Sequence, residues 1–309
     1  MILTYAHGRR AEHDSYITPK FTEVHMSNKI IFILSMLFLI NTAYANPGKN
    51  MIQVKGSDTM VNLAQGWAEK YMQIHPDALI AVTGGGSGTG ISSLISGTCD
   101  MAMSSRNVKE KEISLAKQKG INPFEIQAAL DGIAVVVHPS NPVGQLTVDQ
   151  LAKIFSGKIS KWNEVGGQDK KIVILSREVN SGTHVYFKEH ILRKGDPTSR
   201  EEFAPSALLL SSSQAIADEV AQNPSAIGYY GMGYISPKQK AVAIAQDPKS
   251  VYVTPTIENV VNGKYPISRP LFLYTNGEPK GLVKDFIDFA LSKEGQQIVL
   301  KNDFVPVQK

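Results

Sequence analysis

Four short segments place glycine, serine and threonine where an apolar, strand-like run gives way to a helix-like one. In chain order they are residues 56–59 (the first loop), 84–90 (the second loop), 104–106 (the third loop) and 177–183 (the fourth loop). A helix start presents unpaired N–H groups and a partial positive charge, and glycine lets the backbone approach a ligand closely. Hydroxyls add short hydrogen bonds, and Arg177 adds a permanently charged donor. Several such helix starts aimed at one cleft would hold a small tetrahedral oxyanion.

Each loop also has an ordinary structural interpretation. Ser57, Asp58 or Thr59 could be a helix N-cap, and the second loop could be a flexible turn. Arg177 could pair with Glu178 or with another acidic residue at the surface. The second loop is not a nucleotide P-loop, because no Gly-Lys-Ser/Thr follows it. The repetition of one design at successive strand ends favours the anion site over these alternatives.

Catalytic and metal chemistry have little support in the sequence. Neither Ser87 nor Ser181 stands in a Gly-x-Ser-x-Gly elbow. His184 adjoins the fourth loop, and we expect it to fill a first-turn helix position rather than to act as a base. The single cysteine, Cys99, is expected to be a small buried hydrophobic residue, and no Cys/His cluster has metal-ligand spacing. The sequence predicts a binding protein without metal or cofactor.

The elements that must position the loops alternate between strand and helix patterns. In the first half of the chain, strands are predicted over residues 51–55, 78–83 and 100–104, and helices over 59–75, 91–95 and a charged stretch through Lys119. In the second half, strands are predicted over residues 132–137, 171–175, 226–230 and 270–274, and helices over 148–155, 185–192, 214–222 and 281–300. This order predicts two α/β units with largely parallel sheets, and no long linker separates them. We therefore expect strands to pass between the units and a ligand to bind in the cleft between them.

The composition is that of an ordinary globular protein. The chain has 309 residues, of which 42% are hydrophobic and 19% charged, and its formal net charge is +4. It has no tract dense in lysine and arginine, so the sequence predicts no nucleic-acid partner.

The N-terminal part has the order of a secretory signal peptide. A nearly continuous apolar run over residues 30–40 follows Lys29 and ends near the small-x-small pattern of residues 43–45. The run is too short to span a bilayer comfortably. We predict that residues 26–45 are a signal peptide cleaved after Ala45, and that the protein is periplasmic. The alternative is an uncleaved anchor.

Residues 1–25 are polar and without pattern, whereas Met26 would open a signal peptide of normal length. We therefore expect residues 1–25 to be a non-native upstream extension.

These motifs resemble the periplasmic phosphate-binding proteins of the phosphate ABC importer, the PstS family. The first loop resembles the family's first phosphate loop, and residues 86–90 resemble its second. Residues 177–183 match its Arg-x-x-x-Ser-Gly-Thr signature, which is the most specific of the set. Two stretches outside the loops, within residues 151–163 and 223–229, also match, so the resemblance covers most of the chain from Met51 to the last helix.

The resemblance implies an α/β type II periplasmic binding protein fold, with two α/β lobes joined by crossing strands and a ligand cleft between them. It implies that residues 46–133 and 270–309 form lobe one and that residues 134–269 form lobe two. It also implies a monomer that captures inorganic phosphate and delivers it to the membrane permease of an ABC importer. The enzymatic alternative is a secreted phosphatase on the same scaffold.

The resemblance further implies ten ligand-binding residues. They are Ser57, Asp58, Thr59, Met60, Ser87 and Ser105 in lobe one, and Arg177, Ser181, Gly182 and Thr183 in lobe two. The hydroxyls of Thr59 and Ser87 and the N–H of Met60 are the implied lobe-one contacts.

Two departures from the family pattern concern carboxylates. Some members carry an aspartate where this chain has Ser105, and that aspartate accepts a proton-bearing phosphate hydroxyl and helps to reject sulfate. Asp58 could accept instead, or it could cap a helix, so receptors for sulfate, molybdate or arsenate remain alternatives. Val179 stands where some relatives carry an acid that holds the arginine, and Glu178 is then the candidate partner of Arg177.

Overall fold

The computed structural model describes residues 50–307. The predicted upstream extension and signal peptide therefore lie outside the described residues. Within the described part of the chain, no helix is both long and apolar enough to cross a membrane.

Strands and helices alternate along the chain. The strands are β1 (Met51–Gly56), β2 (Leu79–Thr83), β3 (Met101–Ser104), β4 (Pro123–Val137), β5 (Gln145–Thr147), β6 (Val173–Arg177), β7 (Leu208–Leu210), β8 (Ala226–Gly231), β9 (Lys240–Ala241), β10 (Ala243–Ala245), β11 (Ser268–Asn276) and β12 (Val305–Pro306). The α-helices are α1 (Val61–Ile74), α2 (Ser87–Ile95), α3 (Glu110–Gln118), α4 (Val148–Phe155), α5 (Gly182–Phe187), α6 (Ser213–Gln222), α7 (Ile257–Val261), α8 (Gly281–Leu291) and α9 (Lys293–Lys301). A π-helical turn, Lys188–Leu192, continues α5.

One curled, mixed sheet runs through the described chain in the order β2-β1-β3-β11-β4-β8-β6-β7. The strands at each end of this order pair in parallel, β1 with β2 and β3, and β6 with β7 and β8. The middle pairs, β11 with β3 and β4 and β4 with β8, are antiparallel. Two parallel units are thus joined by β4 and β11, which are the crossing strands that the sequence predicts.

Strand β4 is longer than predicted. The sequence favoured a strand only over residues 132–137, the buried and β-branched end that pairs with β8. The earlier residues pair with β11 over its whole length and alternate less regularly between exposed and buried positions. Asp131 interrupts the apolar pattern at the junction, and it is tolerated there because Arg269 of β11 pairs with it.

Two apolar cores lie on either side of the crossing strands. The first packs α1, α8 and α9 on β1 and β3, around Trp67 and Phe286. The second packs α4 and α5 on β8, where the rings of Phe187 and Tyr229 stack at 3.9 Å. This is the predicted two-lobed α/β architecture, and we keep the names lobe one and lobe two for the units around the first and second core.

Three helix predictions were wrong in their boundaries, and one of these helices, α5, begins at Gly182 and not at Val185. Helix α2 begins at Ser87 and not at Ile91, so the end of the second loop is helical. Its glycine at position 90 is needed because a Cβ there would lie 2.5 Å from the Lys55 carbonyl oxygen. The predicted last helix is two helices, since Ser292 leaves α8 and caps α9 by accepting a hydrogen bond from the Gly295 N–H at 3.2 Å.

Candidate anion-binding site

The first loop leaves β1 and forms a 3₁₀ turn over Asp58–Met60 before α1 begins. Ser57 and Thr59 are buried, with 2% and 0% of their surface exposed. The Ser57 hydroxyl donates to Ser105 Oγ at 2.9 Å. The Met60 N–H donates to the Ser57 carbonyl at 3.0 Å, and its side chain lies in the core of lobe one. The loop therefore directs two hydroxyls into the interior.

Ser87 and Ser105 complete a cluster of buried serine hydroxyls in lobe one. Ser87 is the first residue of α2 and follows Gly86, whose φ of 89° places it in the left-handed region. The Ser105 N–H donates to Ser87 Oγ at 3.0 Å, and the two Oγ atoms are 3.3 Å apart. Three serine oxygens from three different loops are thus linked by hydrogen bonds through Ser105.

The fourth loop brings the corresponding groups of lobe two. Ser181 caps α5, because its Oγ accepts from the N–H groups of Thr183 at 3.2 Å and His184 at 3.4 Å. Thr183 follows in the first turn, and its Oγ1 lies 3.0 Å from Thr59 Oγ1. A hydroxyl of each lobe therefore meets in one buried contact.

Gly182 opens α5 directly against the serine cluster. A Cβ at this position would lie 2.3 Å from Ser87 Oγ and 2.6 Å from Ser105 Oγ. Only a residue without a side chain can bring the lobe-two backbone this close to the lobe-one hydroxyls.

Arg177 is the last residue of β6 and is almost fully buried. Its Nη2 donates to Asp58 Oδ2 at 2.6 Å and to the Ser211 carbonyl at 2.9 Å. Its Nη1 donates to Ser213 Oγ at 3.0 Å, which leaves a second N–H of that nitrogen for a ligand. The guanidinium is thereby fixed in place by both lobes.

In the described chain, the Asp58 carboxylate makes no helix-cap hydrogen bond. Its Oδ2 accepts from Arg177, and its Oδ1 accepts from the Gly85 N–H at 3.1 Å. The expectation that Glu178 holds the arginine was wrong, since among the described residues the salt-bridge partner of Arg177 is Asp58. Asp58 lies in the opposite lobe, so this partner could not be identified from the residues next to Arg177 in the sequence.

Sequence reasoning missed a second buried ion pair at the same place. Arg269 of β11 donates to Asp131 Oδ2 from Nε at 3.1 Å and from Nη2 at 2.9 Å. The same Nη2 lies 3.2 Å from Thr59 Oγ1 and 2.9 Å from Thr183 Oγ1. Each of the two strand patterns contains one charged residue among apolar ones. This signal indicates a buried ion pair only if the two strands are known to be neighbours.

Further hydrogen bonds join the loops of the two lobes. The Gly88 N–H donates to the Asn180 carbonyl at 3.0 Å, and Asn180 Nδ2 donates to the Gly85 carbonyl at 2.9 Å. The Tyr234 hydroxyl donates to the Asp58 carbonyl at 2.6 Å, and burial raises the pKa of this phenol to about 12. The site is therefore enclosed from both lobes.

His184 occupies the predicted first-turn position of α5. Its Nδ1 lies 3.3 Å from Ser176 Oγ, and its ring packs on Phe203 with centroids 4.6 Å apart. Burial lowers the pKa of the imidazole to about 4, so the ring is neutral at pH 7. Cys99 is likewise a buried thiol, whose pKa burial raises to about 11.

The assembled site is rich in donors but balanced in formal charge. Each guanidinium is paired with a carboxylate, Arg177 with Asp58 and Arg269 with Asp131. Over residues 50–307, no group of three or more His, Cys, Asp or Glu side chains could hold a metal ion. Hydroxyls, helix-start N–H groups and fixed guanidinium groups are the chemistry that binds a small oxyanion.

Known proteins share this sequence pattern. A family model described as the PBP superfamily domain matches residues 41–294. The chain is 34% identical over 269 residues to the phosphate-binding protein PstS of Pseudomonas aeruginosa, covering 82% of this chain and 81% of that protein. It is 33% identical over 299 residues to the phosphate-binding protein PstS of Bacillus subtilis, covering 91% of this chain and 94% of that protein.

Solved structures share the fold as well. A Clostridium perfringens protein assigned as a phosphate ABC transporter substrate-binding protein, crystallised with bound phosphate, superposes with a TM-score of 0.75 at 35% identity, covering 84% of this chain and 100% of that chain. An ABC-type phosphate transport receptor from Vibrio cholerae gives a TM-score of 0.64 at 32% identity, covering 82% of this chain and 99% of that chain. The likeness thus extends over both lobes and is not confined to one motif.

Proposed function

The chain belongs to the PstS family of phosphate-binding proteins within the PBP superfamily, and from this premise we propose that it captures inorganic phosphate outside the cytoplasm for an ABC importer. The observation that carries the proposal is the convergence of all four loops on one buried cluster. Ser57, Ser87 and Ser105 of lobe one meet Gly182 and Thr183 of lobe two there.

Phosphate is held by donors that are already in place. In this proposal the ten residues predicted from the sequence form the site, with serine and threonine hydroxyls and helix-start N–H groups donating to the phosphate oxygens. Arg177 adds its remaining Nη1 N–H. Because the surrounding side chains exclude water, each of these hydrogen bonds to a charged ligand is stronger than it would be at a surface.

Binding is coupled to closure of the lobes. An anion that touches residues of both lobes stabilises the closed arrangement, since only that arrangement supplies every contact. We propose residues 46–133 and 270–309 as lobe one and residues 134–269 as lobe two. The division is supported by the two separate apolar cores and by the crossing of β4 and β11 between them.

Titration of the purified protein with phosphate, arsenate, sulfate and molybdate tests the function. We expect phosphate and its isostere arsenate to bind, and sulfate to bind more weakly. Strong binding of sulfate or molybdate without a phosphate response would contradict the phosphate assignment and would identify a receptor for another tetrahedral oxyanion. Ser105, in the position where some relatives carry an acceptor carboxylate, makes sulfate the informative competitor.

The protein is proposed to be a carrier and not an enzyme. Its relatives are substrate-binding transport proteins. The Ser181 hydroxyl accepts from two N–H groups as a helix cap, and the nearby His184 ring contacts Ser176 instead of that hydroxyl. Turnover of a chromogenic phosphate ester that disappears in a Ser87→Ala variant would favour the phosphatase alternative.

Export and delivery complete the proposal. We propose that residues 26–45 are removed after Ala45, that the protein acts as a monomer in the periplasm, and that it docks on the membrane permease of an ABC importer. N-terminal sequencing of the exported protein checks the first point, and a start other than Asn46 would contradict it.

A further inference from the structure

Among the described residues, Arg269 is the most enclosed cationic side chain outside the ten predicted site residues. It stands on crossing strand β11, 2% of its surface is exposed, and its Nη1 donates to the Ser105 carbonyl at 3.0 Å. Its Nε and Nη2 both donate to Asp131, which is 0% exposed. Asp131 is held in turn, because its Oδ1 accepts from the Met232 N–H at 3.1 Å. All three guanidinium nitrogens of Arg269 therefore donate hydrogen bonds to Asp131 or Ser105.

The Nη2 atom of this guanidinium also contacts one residue of each lobe. Its Nη2 lies within hydrogen-bond distance of Thr59 Oγ1 and Thr183 Oγ1, the two hydroxyls that meet across the cleft. Nη2 carries two hydrogens, and because one is donated to Asp131, the two hydroxyl oxygens share the other as acceptors. The two oxygens are also 3.0 Å apart, so one hydroxyl donates to the other. The remaining hydroxyl hydrogen of the pair is thus turned away from Arg269.

We propose that Arg269 is a positioning residue of the phosphate site, which fixes the hydroxyl pair of Thr59 and Thr183 so that its remaining hydrogen is donated to the bound anion. The inference rests on the proposed phosphate function and names a residue that acts through other residues. Without the arginine, either threonine can turn its hydrogen toward another acceptor, and the anion must then reorient it.

Asp131 makes this orientation possible at low cost to the fold. A lone buried guanidinium would be strongly destabilising, whereas a hydrogen-bonded carboxylate beside it compensates the charge. Burial raises the pKa of the Asp131 carboxyl, and the adjacent Arg269 opposes that rise. Because the pair is neutral as a whole, its contribution to phosphate binding is orientation more than added net charge.

The test removes both charges of the pair together. In the double variant Arg269→Met with Asp131→Asn, no unpaired charge is left in the interior, and the amide can still accept from Met232. We expect phosphate to bind about 30-fold more weakly by calorimetry, on the scale of hydrogen bonds to a charged ligand. The matched control is Arg193→Met with Glu202→Gln, an ion pair of lobe two outside the four loops, and its affinity should stay within about twofold of the parent.

A second variant covers the case in which the double variant does not fold, as judged by its circular dichroism and melting. Arg269→Lys keeps one positive charge, but an ammonium on a flexible stem cannot bridge Asp131 and both threonines as the planar fork does. We expect phosphate affinity to fall about tenfold. Parent-like affinity in this variant, or in the folded double variant, would overturn the inference.

A double-mutant cycle distinguishes orientation from a merely structural role. Thr183→Val removes the hydroxyl, whereas Thr183→Ser keeps it. In the parent we expect the valine variant to lose at least about tenfold in phosphate affinity and the serine variant to lose less. In the Arg269→Met, Asp131→Asn background, Thr183→Val should reduce phosphate affinity much less, because Arg269 no longer orients the Thr183 hydroxyl there. Additive losses would contradict the inference.

The two proposals fail in different ways. If the parent protein does not bind phosphate, the proposed function is wrong. If the parent binds phosphate and the Arg269 variants bind it equally well, only the positioning role is wrong.

Discussion

At the residue scale, the proposed anion site depends on small side chains more than on charge. Ser57, Ser87 and Ser105 contribute hydroxyls from three loops, and each is almost completely buried. Gly182 matters for what it lacks, because its missing side chain allows the two lobes to touch. These residues cannot be replaced by larger ones of similar polarity without separating the donors that must converge.

Gly182→Ala should therefore weaken phosphate binding at least about tenfold, because the added methyl would overlap Ser87 Oγ and Ser105 Oγ and force the lobes apart. Calorimetric titration measures the change. Gly144→Ala is the control, since a Cβ at that exposed position meets nothing within 4 Å. Equal affinities in the two variants would show that the close approach is not required for binding.

Arg177→Ala should lower phosphate affinity by at least about 30-fold, because it removes a ligand donor and leaves Asp58 without its cross-lobe partner. Glu178→Ala changes the neighbouring acid, which is exposed and is not the partner of the arginine. Its affinity should match that of the parent. A large loss in the Glu178 variant would restore the pairing that the sequence suggested.

At the scale of elements, the site is built from strand ends that turn into helices. Strand β1 ends before the first loop, β3 before the third, and β6 before the fourth, while α2 and α5 begin with Ser87 and Gly182. This arrangement repeats because the N–H groups of a strand are already hydrogen-bonded within the sheet, whereas the first N–H groups of a helix have no partner within the helix. The other helices complete the lobes and should affect stability without affecting affinity.

Ser292→Ala tests this separation. The serine caps α9 and ends α8, so its loss should lower the free energy of unfolding by about 1 kcal/mol. Urea denaturation measures the change, and phosphate affinity should be unaltered. Ser160→Ala, at an exposed position before a 3₁₀ turn, should leave stability within about 0.5 kcal/mol of the parent. A loss of phosphate affinity in the Ser292 variant would show that the junction of α8 and α9 influences the site.

At the scale of the whole molecule, the two lobes are connected by strands and by polar contacts across the site. Arg177 with Asp58, and Asn180 with Gly85, join the lobes through hydrogen bonds. Such contacts can exchange for water if the lobes separate. In the proposed function we therefore expect the molecule to open and close while each lobe remains folded.

Stability should fall in weak acid because of one buried imidazole. Burial holds the pKa of His184 at about 4, below its ordinary value near 6.5. The unfolded chain takes up this proton first, so the contribution is fully present above pH 6.5 and is lost as the pH falls toward 4. The loss is roughly 3 kcal/mol. Urea unfolding between pH 7.5 and 4 measures it.

The control for this pH dependence is a substitution of the histidine itself. His184→Gln should flatten the slope between pH 6.5 and 4, whereas His75→Gln, at an exposed position, should keep the slope of the parent. Equal slopes in the parent and the His184 variant would assign the acid sensitivity to other groups.

The sequence by itself determined much of the fold and identified most residues of the candidate site. Strand and helix periodicity placed most elements, because burial of one face imposes a repeat that can be read locally. The loops at the strand ends identified Ser57, Thr59, Ser87, Arg177 and Thr183 as candidates, and the structure brings these residues together. The family resemblance supplied phosphate as the ligand and the two-lobed type II fold.

Only the tertiary structure decided how the charges are paired. Asp58 and Arg177 are 119 residues apart, and Asp131 and Arg269 are 138 residues apart. A local pattern therefore offered Glu178 as a partner and offered no reason to join Asp131 with Arg269. Their pairing follows from the strand order β11-β4 and from the contact of the lobes. Such long-range contacts depend on how whole elements pack, and periodicity along the chain does not encode that packing.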